Sequence, residues 1–333
     1  MPNIRIYEAG HPIPDDNSFA ATKEAIQLVT GLTSSDKVLL LISGGGSALF
    51  EMPLIPAAEL EDLTKQLLAS GADIVEMNTI RKRLSGVKGG KFAKICEPAQ
   101  VLSIVLSDII GDPLDMIASG PAYPDSSTGE QASEIVKKYG IKTTEEIDAL
   151  LKIQPPHELH NVTTKITGSV TQLCAAAELT CRELGYEPII LTASLSCEAR
   201  EAGSFIASIG QYYNDTEKSL AFIMGGETIV RLKGTGKGGR NQELALSAAD
   251  NLEGLKDIAI FSIGSDGTDG PTDAAGGYVD TNTKAELLKK GINIYDVLEN
   301  NDSYHALQAC DGLIITGATG TNVNDLSVLL IKR

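Results

Sequence analysis

Runs of apolar residues alternate with amphipathic segments through the first half of the chain. KVLLLI at Lys37–Ile42 and QVLSIVL at Gln100–Leu106 predict strands, while residues 18–32 and 56–70 carry apolar side chains at helical spacing. An unbroken apolar run such as KVLLLI is typical of a parallel strand that is covered on both faces. The alternation therefore predicts βαβ units and an α/β fold with a doubly wound sheet.

The same alternation starts again after Pro155-Pro156. We predict further strands over residues 188–193, 220–224, 228–232, 258–263, 312–316 and 327–331, and further helices over 172–184, 198–214 and 240–252. A chain of 333 residues exceeds the usual size of one domain. The pattern thus predicts two α/β domains with mainly parallel, Rossmann-like sheets, over residues 1–155 and 156–333, the second with a loop-rich region from about 219 to 328.

Charge and composition restrict the classes of partner. The formal net charge of −16 disfavours nucleic acid, because such a field repels phosphate backbones. The N-terminus has no apolar signal core, and no apolar run approaches the length of a membrane span. The five cysteines are scattered and never in CxxC spacing, which is typical of reduced thiols. We therefore expect a cytoplasmic protein with no nucleic-acid partner and no membrane partner.

Four polar, glycine-rich loops follow predicted strands, and each brings candidate site residues. In parallel α/β sheets, ligands bind beyond the carboxyl ends of the strands, so four such loops favour a binding site. Any one of them alone is an ordinary turn. The candidates from these loops are Ser43, Gly44, Gly45, Gly46 and Ser47 in the first, Asp108 in the second, Glu227 in the third, and Asp266 and Asp269 in the fourth.

Two features of the first half indicate anion binding. The consecutive glycines at 44–46 can present backbone N–H groups to a phosphate or carboxylate. Residues 81–91 hold five cations, a local reversal of charge in an acidic chain. Asn78, Arg81 and Lys88 are the candidates from this segment. The alternative interpretation is a solvated helix face.

The second half contains a dinucleotide-like motif and an acidic loop. Residues 234–239 read GTGKGG, which satisfies GxGxxG, but the strand predicted before it lies in a hairpin rather than opening a βαβ unit. Lys237 and Arg240 instead suit a phosphate clamp. Asp266 and Asp269 stand among glycines, which favours a Mg²⁺ site completed by water and phosphate. A solvated acidic turn is the alternative.

These stretches, in this order, resemble the type II glycerate kinases, whose C-terminal half is called the MOFRL domain. The resemblance implies two α/β domains with a cleft between them, and phosphorylation of D-glycerate to 2-phosphoglycerate with ATP and Mg²⁺. An NAD(P)H-dependent hydroxypyruvate reductase and a ligand-binding fragment without turnover are the alternatives. The matching stretches are AGHPIPDDNS, LLLISGGGSALFEMP, LTKQLLASGADIVEMNTIRKRLSGVKGGKFA, LSDIIGDPLDMIASGPAYPD, MGGETIVRLKGTGKGGRNQELAL, GSDGTDGPTDAAGG and TGATGTNVNDL.

Roles for the candidate residues follow from the resemblance and from phosphoryl-transfer chemistry. Arg240 and Lys237 would stabilise the migrating phosphoryl group, and Asp108 or Asp266 would orient or deprotonate the attacking hydroxyl. Asp266, Asp269 and Glu227 would bind the metal ion. Substrate and phosphate binding falls to Ser43, Gly44, Gly45, Gly46, Ser47, Asn78, Arg81, Lys88, Glu227 and Asn241.

Members of this family begin with a further α/β segment that carries a lysine in a Gly-Lys context. This chain opens at Pro2-Asn3-Ile4, close to the AGHPIPD motif, so we expect that segment to be missing. Lys82 and Lys88 are candidates to replace its lysine, and Arg83 stands where the family tends to have a histidine. The position phosphorylated on glycerate and the formation of a homodimer stay open.

Overall fold

The computed structural model describes residues 4–11 and 13–333. The α-helices are α1 Asp16–Val29, α2 Gly46–Leu49, α3 Ala57–Ser70, α4 Ile74–Arg83, α5 Lys91–Ile95, α6 Gly129–Tyr139, α7 Glu145–Leu151, α8 Val170–Glu183, α9 Ala199–Tyr212, α10 Arg240–Ala249, α11 Thr283–Lys289, α12 Ile294–Glu299 and α13 Ser303–Ala309. The strands are β1 Lys37–Ile42, β2 Gln100–Leu106, β3 Val162–Gly168, β4 Glu187–Leu195, β5 Leu220–Gly226, β6 Ile258–Gly264, β7 Gly276–Asp280, β8 Leu313–Ile314 and β9 Asp325–Ile331.

The chain divides into two units, each with its own sheet. One comprises the residues up to Leu106 together with Asp112–Thr167, and the other comprises Ser107–Gly111 with Gly168–Arg333. The boundary predicted near residue 155 falls in the loop before β3, and β3 joins the first sheet beside β2. The α/β class is confirmed. None of the helices described here is both long and apolar enough to cross a membrane.

The first unit contains a three-stranded sheet in the order β1-β2-β3. β1 and β2 run parallel, from Lys37 opposite Gln100 to Ile42 opposite Val105. One face of this sheet packs on a core that includes Val29, Phe92 and Val101. On the other face, Leu39 and Leu41 are 62% and 69% exposed. The strand predicted from KVLLLI is confirmed, but burial of both its faces is wrong for the described part of the chain, because helices pack against one face only.

A second core of the first unit is purely helical. Helices α3, α4, α6 and α7 bury leucine and isoleucine side chains against one another. α4 begins at a capping box in which Asp73 and Glu76 satisfy each other's backbone N–H groups. This packing fixes the orientation of α4, which carries Asn78 and Arg81 on one turn and Lys82 on the next position.

The second unit contains a six-stranded sheet in the order β4-β5-β9-β6-β7-β8. Only β4 and β5 pair in parallel; the pairs β5–β9, β9–β6, β6–β7 and β7–β8 are antiparallel. The expectation of mainly parallel strands therefore does not hold for this sheet, because the last strand of the chain inserts between β5 and β6. Helix α8 packs on one core, and α9, α10 and α13 contribute to the other.

Two local predictions in the second unit need correction. Residues 228–232 do not form a strand; Ile229 makes a single parallel bridge with Glu198. The hairpin expected across residues 225–227 is therefore absent from the described structure. β7 was not predicted, since its sequence GGYVD begins with two glycines. A side chain at Gly276 would lie 1.9 Å from the carbonyl oxygen of Ser262, so the pairing of β6 and β7 requires glycine there.

Candidate functional site

In the first unit, the glycine loop connects β1 to the short helix α2. Gly45 has a φ of +81°, a left-handed conformation that glycine adopts without strain. A Cβ atom on Gly46 would lie 2.6 Å from the Cβ of Ala118, so the loop packs directly against the neighbouring chain segment. The amide groups of Gly44 and Gly45 have no acceptor among the described residues. Ser43 and Gly44 are exposed. The loop thus retains backbone donors for an anion.

His11 lies beside this loop and was missed as a site residue. The Cβ position of Gly45 is 3.3 Å from Cδ2 and 3.6 Å from Nε2 of the His11 ring. The signal was present in the AGHPIPDDNS stretch, which matched the family pattern without being assigned a role. An imidazole at this place adds ring nitrogens to the backbone donors of the loop.

A row of hydrogen-bonded polar side chains supports the glycine loop. Ser47 Oγ lies 3.1 Å from Ser119 Oγ, and Ser119 Oγ donates to Asn78 Oδ1 at 3.2 Å. Asn78 and Ser119 are both buried. Ser119 and Ala118 have φ values of +58° and +52°, so this segment holds two non-glycine residues in the left-handed region. Asn78 therefore supports the loop through Ser119, and binding of substrate by Asn78 stays a prediction.

Most cations of residues 81–91 are buried and engaged by other groups of the first unit. Lys88 Nζ donates to the carbonyl oxygens of Ser47 at 2.8 Å and Phe50 at 3.1 Å, and lies 3.3 Å from Glu51 Oε2. Burial lowers the pKa of Lys88, against the opposing effect of Glu51. Lys82 lies between two carboxylates, at 3.1 Å from Asp115 and 3.5 Å from Asp125. These side chains stabilise the fold.

Two of the remaining cations of this segment are also engaged by groups of the first unit, and Arg81 is the exception. Lys91 donates to three backbone carbonyl oxygens, and Arg83 donates to Ser127. Neither lysine proposed as a substitute, Lys82 or Lys88, has a free ammonium group. Arg81 is half-buried, and its one recorded contact is a 3.5 Å approach of Nη2 to Ser47 O. In the described part of the chain Arg81 has no carboxylate partner, so it is the cation best placed for an external anion.

In the second unit, Arg240 begins helix α10 between two carboxylates. Its Nε donates to Asp325 Oδ2 at 2.5 Å and its Nη2 to Asp325 Oδ1 at 3.0 Å, while Nη1 donates to Glu227 Oε1 at 3.0 Å. The Arg240 side chain is one-third exposed. These carboxylates outweigh desolvation and raise the pKa of Arg240, so the guanidinium stays charged. Of its predicted companions, the structure places Glu227 in direct contact with it.

Asn324 connects the cluster around Arg240 to the predicted loop that contains Asp108. Its Nδ2 donates to Glu227 Oε2 at 3.1 Å and to the carbonyl oxygen of Asp108 at 2.9 Å. Asp266 lies close by, since the Cβ position of Gly264 is 3.2 Å from Asp266 Oδ1 and 3.6 Å from Asp325 Oδ1. The backbone of Asp108 and the side chains of Glu227, Arg240 and Asp266 are therefore brought together. Asn324 and Asp325 were missed, although the stretch TGATGTNVNDL contains both.

Asp269 has a structural role at the start of α10. Its Oδ1 accepts from the backbone N–H of Asn241 at 3.1 Å and its Oδ2 from that of Gln242 at 2.9 Å. Desolvation by burial raises the pKa of Asp269 to about 6, against the effect of these hydrogen bonds. Asn241 is also buried, and its Oδ1 accepts from Ser262 Oγ. Asp269 and Asn241 thus hold the helix that carries Arg240, and both carboxylate oxygens of Asp269 are already engaged.

The glycines of GTGKGG pack against the segment that starts α13. A side chain on Gly234 or Gly236 would meet Asn300 O at 2.4 or 2.6 Å, and one on Gly238 would meet Ser303 Oγ at 2.2 Å. Backbone bonds such as Gly236 N to Asn300 O fix the loop. Gly239, the last glycine of the pattern, lies against Asp269, whose Cγ would be 2.3 Å from an added Cβ. Close approach of chain segments therefore accounts for the GxGxxG pattern without a dinucleotide.

Lys237, in the middle of that loop, lies over an aromatic ring. Its Nζ is 4.0 Å from the ring centroid of Tyr304, whose hydroxyl donates to Asp273 at 2.8 Å. This cation–π contact orients the lysine within the loop. The structure records no contact of Lys237 with Arg240 or Asp266 among the residues it describes.

Comparison with known proteins identifies related sequences and structures. Residues 1–152 match a domain of unknown function, DUF4147, and residues 220–325 match the MOFRL family. A D-glycerate 2-kinase from Thermotoga maritima is 52% identical over 99% of this chain and 80% of that protein. A putative hydroxypyruvate reductase from Agrobacterium vitis is 40% identical over 98% of this chain and 88% of that protein. The crystal structure of a glycerate kinase from Thermotoga maritima superposes with a TM-score of 0.97 at 51% identity, covering 100% of this chain and 82% of the other.

Proposed function

The chain belongs to the glycerate kinase family, and from that relationship we propose that it transfers a phosphoryl group from ATP to the 2-hydroxyl of D-glycerate, with Mg²⁺ as the metal ion. It is a phosphotransferase that acts on small molecules. The observation that carries the proposal is the arrangement of Arg240, which is held by Asp325 and Glu227 and still has N–H groups free.

Arg240 has the properties that phosphoryl transfer requires. The reaction spreads negative charge over the oxygens of the migrating group, and a preorganised cation stabilises that charge without having to reorient. A planar guanidinium matches phosphate oxygens with two parallel N–H groups. Arg240 is one-third exposed, so it is accessible as well as fixed.

The acidic residues near Arg240 fit a magnesium ion for which water and phosphate supply most of the ligands. The described residues contain no group of three His, Cys, Asp or Glu side chains arranged to hold a metal. Asp266 and Glu227 are accessible and would hold Mg²⁺, whereas Asp269 is engaged as a helix cap. Asn324 Oδ1 is a buried acceptor with no donor at the same cluster. When bound, Mg²⁺ would neutralise phosphate charge.

Each unit offers further groups that suit the substrates. The free amides of the glycine loop and the Arg81 guanidinium suit a carboxylate or a phosphate. Asp108 or Asp266 would orient or deprotonate the attacking hydroxyl, since both are half-exposed in the cluster around Asn324. Transfer to the 2-hydroxyl, rather than to the 3-hydroxyl, is part of the proposal.

The reductase alternative has less support from the structure. Its main signal was the GxGxxG stretch, and close packing against residues 300–303 and Asp269 requires the glycines of that stretch. The loop also follows an isolated bridge rather than the first strand of a βαβ unit.

The decisive experiment measures ADP formation from ATP and D-glycerate in the presence of Mg²⁺, with the product identified by ³¹P NMR. We expect 2-phosphoglycerate, and no ADP formation when Mg²⁺ is chelated. Oxidation of NADH or NADPH on addition of hydroxypyruvate, without kinase activity, would establish the reductase instead. Calorimetric binding of ATP or glycerate without either reaction would identify a binding protein.

A further inference from the structure

The guanidinium of Arg240 uses three of its five N–H groups within the second unit. One is the Nε–H, which donates to Asp325, and the others are one hydrogen each on Nη2 and Nη1, which donate to Asp325 and Glu227. One N–H therefore remains on each terminal nitrogen. These two donors are what Arg240 can offer to a phosphoryl group, so their direction matters.

Asp325 is the partner that sets this direction. Two parallel hydrogen bonds to one carboxylate, at 2.5 and 3.0 Å, fix the plane and the rotation of the guanidinium. The single bond to Glu227 restricts only one end of the guanidinium, because it engages only one terminal nitrogen. We infer that Asp325 is a positioning residue, which orients Arg240 so that its two free N–H groups face the reacting phosphoryl group.

The backbone around Asp325 makes it a rigid support. Asp325 begins β9, the strand between β5 and β6, and lies opposite Gly226 on one side and Gly264 on the other. Its side chain is only 7% exposed. A residue held in the middle of a sheet keeps its carboxylate in one place more precisely than a residue on a loop.

Asn324 extends the same support to Glu227. Asn324 is buried, has a φ of +66°, and donates both Nδ2 hydrogens, one to Glu227 Oε2 and one to Asp108 O. Because both partners are acceptors, the identity of the amide nitrogen is fixed. Glu227 is therefore held on one oxygen by Asn324 and on the other by Arg240, and the cluster has one arrangement.

The role of Asp325 in catalysis rests on the proposed kinase function, but its contact with Arg240 does not. No bond is made or broken by Asp325, and no proton is transferred. Removing its charge leaves Arg240 cationic and bound to Glu227, so substrate binding survives while orientation is lost. A misdirected catalytic group lowers kcat by about 10²-fold.

The kinetic test compares Asp325→Asn with Asp325→Glu. We expect Asp325→Asn to lower kcat by about 10²-fold while the KM values for ATP and glycerate change less than threefold, and Asp325→Glu to recover part of the loss. Far-UV circular dichroism and the melting temperature verify folding of each variant. A wild-type kcat in Asp325→Asn contradicts the inference.

Chemical rescue separates positioning from a general structural effect. Arg240→Ala should regain activity when free guanidinium is added, because Asp325 can bind the added ion where the side chain was. The double variant Arg240→Ala, Asp325→Asn should show at least tenfold less rescue at the same guanidinium concentration. Equal rescue in both backgrounds overturns the role of Asp325.

An NMR measurement tests the hydrogen bond between Arg240 and Asp325 independently of enzyme activity. In protein labelled at the arginine Nε, the Arg240 signal is assigned by its loss in Arg240→Lys. We expect the wild-type Nε–H to exchange with solvent at least tenfold more slowly than in Asp325→Asn, since Asp325 accepts its hydrogen bond. Equal exchange rates refute the positioning role. If wild-type protein shows slow exchange but no glycerate kinase activity, the proposed function fails and the contact stands.

Discussion

Lys88 in the first unit and Arg240 in the second are both cations beside carboxylates, but they differ in what they leave free. Lys88 is fully buried and its ammonium is surrounded by two carbonyl oxygens and Glu51. Arg240 is one-third exposed and keeps two N–H groups after bonding to Asp325 and Glu227. A compact ammonium has three donors to satisfy, whereas a guanidinium has five in a fixed fork.

The comparison shows that local charge alone does not identify an anion site. Residues 81–91 carry five cations, yet Lys82, Arg83, Lys88 and Lys91 are used to satisfy carbonyl oxygens and carboxylates inside the unit. Their burial is tolerated because each is hydrogen-bonded or paired with a carboxylate. Counting the donors that remain, residue by residue, separates a supporting cation from a binding one.

The largest expected effect is the loss of activity in Arg240→Lys. The variant keeps the positive charge but loses the fork, so we expect kcat to fall by about 10³-fold. The midpoint of urea unfolding should change little, since a lysine can still pair with Asp325. Steady-state kinetics and urea titration of the same preparation test both parts. An unchanged kcat would show that Arg240 takes no part in the mechanism. The contrast between Arg240 as a binding cation and Lys88 as a supporting one would then fail.

Lys88→Met is expected to act on stability. Methionine fills a similar volume but leaves Glu51 as an unpaired buried carboxylate, which costs about 3 kcal/mol. The urea midpoint should decrease, and the double variant Lys88→Met, Glu51→Gln should recover much of the loss. If Lys88→Met keeps its wild-type unfolding curve and instead raises the KM for glycerate, then Lys88 is a binding residue.

Strand positions were predictable because apolar runs bounded by glycine have a direct physical cause. β1, β2 and β6 lie where KVLLLI, QVLSIVL and IAIFSI placed them. The directions of the strands in the second sheet were not predictable, since nothing in the sequence of β9 indicates that this strand inserts between β5 and β6. β8 is shorter than predicted because only Leu313 and Ile314 pair with β7.

Site residues were predictable by type and location, but not by role. Glu227, Asp108 and Asp266 follow strand ends and Arg240 begins α10, and the structure brings these residues into one cluster. Asp325 was missed because it lies at the start of a strand, β9, whereas the candidate loops follow the ends of strands. The capping role of Asp269 depends on a contact 28 positions along the chain, which local sequence does not reveal.

The next effect concerns the pH dependence of stability in the second unit. The pKa of Asp269 is raised from 3.8 to about 6, so the native state holds this proton more tightly than the unfolded state. The stabilisation is complete below pH 3.8 and is lost as the pH rises through 6, by about 3 kcal/mol in total.

Asp269→Asn isolates this effect, because asparagine cannot titrate. The unfolding free energy of the wild type minus that of Asp269→Asn should fall by about 2 kcal/mol between pH 4 and 7. Urea titrations at several pH values measure the difference, in which other titrating groups cancel. A difference that rises with pH would mean that the amide hydrogen bonds from Asn241 and Gln242 outweigh burial.

The smallest expected effect comes from Arg81, which lies in the first unit and, like Arg240, keeps N–H groups free. It is half-buried, without a carboxylate partner among the described residues, and close to the carbonyl oxygen of Ser47. We expect Arg81→Met to lower kcat/KM for glycerate about tenfold, the value of one charge-assisted hydrogen bond, and to leave the urea midpoint unchanged. The matched control is Lys82→Met on the next position of α4, which should lose stability because Asp115 and Asp125 are left unpaired. If both variants lose stability equally and neither changes kcat/KM, free donors do not distinguish the binding cations of this protein from the supporting ones.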